Sequence, residues 1–285
     1  MKKPLYFSTD RAKELYEKSV QDPELTKALI QTCVDKGEYD KALIFAENLV
    51  PLLPGEYAPL HAKHIICYAK GDTAAAGICL GEAESRFGDD PDYINDRLAY
   101  TIEVMGTAAA KKYLEKIGDK PARESRPFLE LCARIYHGEG EEENLIKCLY
   151  ILHKVYASEK ARFLLALKSS EHEQYTAALK WFVAVINGYS GSAEYFLSLA
   201  GRCAMLRVLE RDNWKEETRK AAIEIDLASR AHAMNLWLLG ISAGLWGLLG
   251  EEENARYNNQ VIGELEKYAR NPAEYLQNRR QRGNP

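Results

Sequence analysis

The sequence has 285 residues, room for one large domain or two small ones. It is 46% hydrophobic and 28% charged with a net charge of −4, which excludes a disordered chain and a global basic field for nucleic acid. Ala and Leu contribute 35 and 34 residues, and this excess of strong helix formers predicts an all-α protein.

Along the chain, Lys2 and Lys3 are followed by no apolar core of a signal peptide, and a cytoplasmic protein is expected. Ser8, Thr9 and Asp10 offer caps for a helix that Asp22-Pro23 stops, so residues 1–22 are expected to form an N-terminal capping helix. From Pro23 the chain repeats. Starts at 23, 57, 92, 126, 159, 193 and 236 bring similar helix pairs into register, mostly 33–35 residues apart. Seven residues on stand Ile30, His64, Ala99, Ala133, Ala166, Ala200 and Ala243. Fourteen residues on stand Gly37, Gly71, Gly106, Gly140, Glu173, Arg207 and Gly250. A further column holds Ala42, Ala76, Ala110, Ala178 and Ala255. The small residues let paired helices approach closely, and Gly ends a helix without a Cβ clash.

With Leu29, Gly37, Tyr39, Ala42, Ala46, Leu49 and Pro54 in the first unit, and Tyr175, Ala178, Phe182 and Val185 in the fifth, the sequence resembles the tetratricopeptide repeat (TPR) family over roughly residues 23–269. The resemblance implies a right-handed α-solenoid of about seven antiparallel helix pairs with short capping helices at both ends. The sixth unit is irregular, with about nine extra residues near 206–220, the best candidate for a joint. The stretch Ala231–Gly250 has no formal charge and is long enough to span a bilayer, but it stays in register with the repeats and reads as a buried solenoid helix. Its Gly240, Gly244 and Gly247 share one face, which would admit a terminal helix, a second copy or a partner. Residues 270–285 are expected to hold a C-terminal capping helix and a basic tail.

Little in the sequence suggests chemistry. Cys33, Cys67, Cys79, Cys132, Cys148 and Cys203 form no CxxC pair and fall at packing offsets, as free buried thiols would. His61, His64, Cys67 and Cys79 share one helix pair, but His61 and Cys67 point about 120° apart, so no metal site is expected. The runs Gly140–Asn144 and Gly250–Asn254 are identical and open second helices, where carboxylates favour the helix N-terminus. No phosphate loop, HExxH or GxSxG motif is present, so no cofactor is expected and an enzyme is disfavoured.

Family resemblance places partners on the concave surface lined by first helices. The inward offsets select Tyr68, Tyr93, Asp96, Tyr100, Arg134 and His137 in a middle zone rich in interface anchors. They select Phe163, Leu167, Leu197 and Met205 in a later apolar zone suited to an amphipathic helix. The expected function is a non-catalytic scaffold or adaptor that holds a protein or peptide segment in this groove. The alternative is a structural subunit of a homodimer or membrane-bound assembly held through 231–250. Nucleic acid is excluded as a partner, and membrane contact is disfavoured.

Overall fold

The computed structural model describes residues 21–118, 125–231 and 235–270. The expected capping helices at 1–22 and 270–285 lie almost wholly outside these residues, as does the link at 232–234. The described chain divides into two compact units, one ending at Cys148 and the other beginning at Leu149.

In the first unit, helices α1 (Pro23–Asp35), α2 (Tyr39–Leu52), α3 (Ala58–Ala69), α4 (Thr73–Phe87), α5 (Pro91–Met105), α6 (Thr107–Ile117) and α7 (Arg126–Gly138) follow one another. Each first helix packs on the second helix of its own pair, as in α1/α2, α3/α4 and α5/α6, and then on the preceding second helix. Helix α8 (Glu142–Tyr156) contains the division between units. The second unit continues with α9 (Glu159–Glu171), α10 (Tyr175–Ile186), α11 (Ala193–Val208), α12 (Trp214–Ala231), α13 (Leu236–Leu249) and α14 (Glu252–Arg270), paired in the same order. All fourteen described elements are α-helices.

The sequence explains most boundaries. Six of the seven first helices start on polar caps, α3 being the exception: the Asp22 carboxylate accepts from Glu24 N and Leu25 N, Asp90 from Asp92 N and Tyr93 N, and Ser125, Ser158, Ser192 and Asn235 cap α7, α9, α11 and α13 in the same way. Pair turns close in the left-handed region at Gly71 (φ 82°) and Gly140 (φ 69°). In the fifth pair, Glu173 takes the same conformation without being glycine (φ 59°). Ala42, Ala76, Ala110 and Ala178 are fully buried, so the second helix of each of these pairs approaches its neighbour through a methyl group. His64 fills the small-residue column of the second pair and spends its polarity locally, with Nδ1 3.1 Å from the Ala76 carbonyl oxygen.

The extra length near 206–220 goes into both helices, with 16 residues in α11 and 18 in α12, and into the five-residue connection 209–213 between them. The left-handed turn residue is therefore Glu210 (φ 51°), three positions beyond Arg207. The apolar stretch near 231–250 forms α13, which buries Leu238, Leu239, Ala243, Leu245 and Trp246. Among the described residues no helix is long and apolar enough to cross a membrane.

The repeated acidic runs do the same work in both units. Asn144 donates to Glu141 at 2.8 Å, and Asn254 donates to Glu251 at 3.0 Å. Each glutamate then takes a cation from the preceding second helix, Lys111 for Glu141 and Arg219 for Glu251. All six cysteines are unbridged; Cys33, Cys132, Cys148 and Cys203 are buried, and Cys67 and Cys79 partly so.

Candidate functional site

The 3.6-residue period sets one exposed stripe on every first helix. In the first unit that stripe carries Ile65 and Tyr68 on α3, Glu103 and Val104 on α5, and Arg134 and His137 on α7, while His61, Asp96 and Tyr100 on the same helices are only partly exposed. Ile65 and Tyr68, Val104 and Met105, and Arg134 and His137 lie in the C-terminal halves of three successive first helices. Ile65 (38% exposed), Tyr68 (39%), Val104 (46%) and Met105 (63%) are large apolar side chains left open there. Arg134 Nη2 donates to Glu103 Oε1 at 2.5 Å, tying α7 to α5 across the stripe. His137 is exposed at the end of α7.

The other middle-zone residues hold the repeats together. Tyr93 is 1% exposed and belongs to the core, which removes it from any open surface. It sits near the start of α5, where its ring meets Tyr57 edge-on at 5.6 Å. Tyr100 leans over Gly77 of α4 and donates to the Thr73 carbonyl oxygen at 3.1 Å. A Cβ at Gly77 would stand 2.4 Å from the Tyr100 hydroxyl, so the glycine permits this crossing. Asp96 Oδ2 accepts from the Tyr57 hydroxyl at 2.7 Å and lies 2.6 Å from His61 Nδ1. Burial, with the nearby Asp96 carboxylate, pushes the Tyr57 phenol far up, so it remains a donor at any working pH. Burial disfavours a charged His61, but the hydrogen bond and charge of Asp96, backed by Asp92 and Asp90, prevail and raise its pKa. The cluster contains no Ser, Cys or Lys nucleophile beside the imidazole, and its geometry is that of a clamp between α3 and α5.

In the second unit the expected apolar zone is divided. Met205 is 7% exposed and packs with Ala166, Ala178 and Phe182 in the core; because α11 runs on to Val208, Met205 lies within the helix contact and not at its end. Phe163 leans on the same cluster, 6.2 Å from the Phe182 ring. Leu167 is 37% exposed and Leu197 is half-buried. Among the described residues no group of three or more His, Cys, Asp or Glu side chains is placed to hold a metal ion.

Sequence reasoning overlooked Tyr57 and Phe87, which build the aromatic cluster around Tyr93. Tyr57 stands 5.7 Å from Phe87, and the Arg86 guanidinium covers Phe87 at 4.9 Å. Both stand where one helix pair passes to the next, a place at which the repeat period does not single out an aromatic.

Comparison with solved structures adds one finding. The chain is similar to a protein whose structure is described as "Functional Characterization of Pseudomonas Aeruginosa pilF", with a TM-score of 0.59 over 79% of this chain and 95% of that one. The chain has a TPR-like fold. Sequence identity to PilF is 11%, so the likeness concerns the paired-helix architecture alone. No family model and no curated protein matches the sequence.

Proposed function

We propose that the protein is a non-catalytic scaffold that holds a segment of a protein partner along the first-helix stripe of its N-terminal unit. The observation that carries this reading is the set of open apolar side chains on two successive first helices, Ile65 and Tyr68 on α3 and Val104 and Met105 on α5, with the Glu103–Arg134 pair tying α5 to α7. Water-exposed apolar groups at the ends of adjacent helices are unfavourable unless a partner covers them. Tyr68 and Arg134 are the residue types that most often anchor such contacts. The second unit, taken by itself, leaves Leu167 open on α9 and Leu197 half-buried on α11. Six unbridged thiols suit a reducing compartment, and the cytoplasm is the proposed location.

The test is a photo-crosslinking residue placed at Tyr68 or His137, with Ile78 on the outward side of α4 as the comparison. The partner should be captured from the first two positions. Tyr68→Ala combined with Arg134→Ala should then weaken that partner's binding by well over about tenfold with little change in melting temperature. Capture from Ile78 alone, or normal binding by the double variant, would refute the reading.

A homodimer is the second reading, favoured by α13. Its outward face shows Trp237 at 43% exposure, and a Cβ at Gly240, Gly244 or Gly247 would meet nothing within 4 Å. Sedimentation of the wild type and of Gly244→Leu distinguishes this reading: a dimer lost on substitution supports it, and a monomeric wild type ends it.

A further inference from the structure

We infer that Cys67 and Cys79 form a redox-sensitive pair, closed to a disulfide by a peroxide and reopened by a dithiol. Cys67 lies near the end of α3 and Cys79 in the middle of α4, so the pair spans the two helices of one antiparallel repeat. The inference stands on the first unit alone and does not depend on a partner for the stripe.

Three observations point to this pair. The first is contact: a side-chain hydrogen bond links Cys67 and Cys79 across the two helices. The second is the approach of the backbones. His64 Nδ1 lies 3.1 Å from the Ala76 carbonyl oxygen and Ala76 is fully buried, so α3 and α4 run close together with residues 64 and 76 at one level. The Cα–Cβ bonds of a helix tilt toward its N-terminus. In an antiparallel pair that tilt carries the Cys67 side chain away from the turn and the Cys79 side chain toward it, so both converge on that level. The third is access. Cys67 and Cys79 are only partly buried, whereas Cys33, Cys132, Cys148 and Cys203 are buried. A small oxidant therefore meets this pair before the other thiols.

The pair rests as the dithiol. Burial, the neighbouring Cys67 and the Glu82 carboxylate push the Cys79 thiol up, against the opposing charge of Lys63. A thiol held protonated oxidises slowly, so the pair answers to sustained oxidant and not to a passing trace. Closure balances with one molecule of hydrogen peroxide: both S–H bonds break, one S–S bond forms, and the O–O bond is cleaved to give two waters. The two sulfurs supply the two electrons and the two protons that the peroxide takes up. Exchange with an external dithiol returns both thiols. The closed form ties α3, at the residue beside Tyr68, to the middle of α4.

The experiment treats the reduced full chain with hydrogen peroxide, blocks the remaining thiols with iodoacetamide and maps the tryptic peptides by mass spectrometry. Cleavage after Lys63, Lys70 and Arg86 puts the two cysteines on separate peptides, 64–70 and 71–86, each with no other cysteine. The two should be recovered joined, two hydrogens lighter than their sum, with the free thiols falling from six to four and no dimer on a non-reducing gel. Dithiothreitol should separate them. Closing this loop should raise the melting temperature by about 5 °C, and peroxide should leave that of Cys67→Ser unchanged. Irreversible oxidation of Cys67 with Cys79 still free, a 64–70 to 71–86 link that forms only in urea, or an equal shift in Cys67→Ser would overturn the proposal.

Discussion

His61 Nδ1 lies 2.6 Å from Asp96 Oδ2, joining two successive first helices through a bond that depends on the proton carried by His61. The folded protein holds that proton more tightly than free histidine does, because Asp96, with Asp92 and Asp90 behind it, outweighs the cost of burial. A raised pKa in the folded state adds stability that is fully present below the unfolded value of about 6.5 and is lost as pH rises through the folded value. The stability difference between wild type and His61→Gln should therefore be largest near pH 6 and shrink toward pH 8.5. Urea unfolding across that range measures it. A difference that grows with pH would mean that His61 is not held as the imidazolium.

The same carboxylate supports Tyr57, whose side chain is 4% exposed and whose hydroxyl donates to Asp96 at 2.7 Å. Asp96→Ala strands that hydroxyl and should destabilise the first unit by about 1–3 kcal/mol. Asp96→Asn keeps an acceptor and should cost less. Combining Asp96→Ala with Tyr57→Phe removes both partners and should recover part of the loss, a double-mutant cycle read by chemical denaturation.

Glu173 and Glu210 occupy left-handed turn positions at φ 59° and φ 51°, where other pairs place glycine. An L-residue pays about 1–2 kcal/mol in this region, partly offset by the greater unfolded-state freedom of glycine. Glu173→Gly and Glu210→Gly should each stabilise the protein by about 0.5–1 kcal/mol. Gly71→Ala, at φ 82° with open space around it, should do the reverse. Melting temperatures of the three variants test this directly.

The repeat was legible because close helix contact demands a small residue and a tight turn demands glycine. Ala42, Ala76 and Ala178 mark the first requirement, and Gly37 and Gly250 the second. Legibility failed where one period was assumed to continue unchanged. No glycine signals that the sixth turn falls at Glu210, so Met205 was assigned to the surface although the longer α11 carries it into the core. Helix α5 begins at Pro91, one residue before the repeat start, and a shift of one residue is about 100° around a helix. Such a shift turns the whole helix alike, and Tyr93 shares its face with Tyr100, seven residues on; Tyr93 is buried because Tyr57 covers that face at the start of α5. Periodicity selects the face of a helix but says nothing of partners, so the Tyr57–Asp96–His61 clamp, the Tyr100 crossing over Gly77 and the Cys67–Cys79 contact emerged only from the folded arrangement.

Two helical glycines, Gly201 and Gly244, should respond in opposite ways to the same substitution. Replacing a mid-helix glycine by alanine gains about 0.8–1 kcal/mol of helix propensity at either site. At Gly244 the new methyl meets nothing within 4 Å, so the gain is kept and Gly244→Ala should raise the melting temperature. At Gly201 the new Cβ would lie 2.5, 2.6 and 2.8 Å from three atoms of the Phe182 ring. That ring cannot swing aside, since Phe182 is 2% exposed and packed with Ala166, Ala178 and Met205. Overpacking of this kind costs about 1–3 kcal/mol, which exceeds the propensity gain over most of that range. Gly201→Ala should lower the stability of the second unit, and adding Phe182→Leu should relieve the clash and return part of it. Equal stabilisation by the two alanines would show that α10 and α11 do not approach each other as closely as the Gly201–Phe182 contact requires.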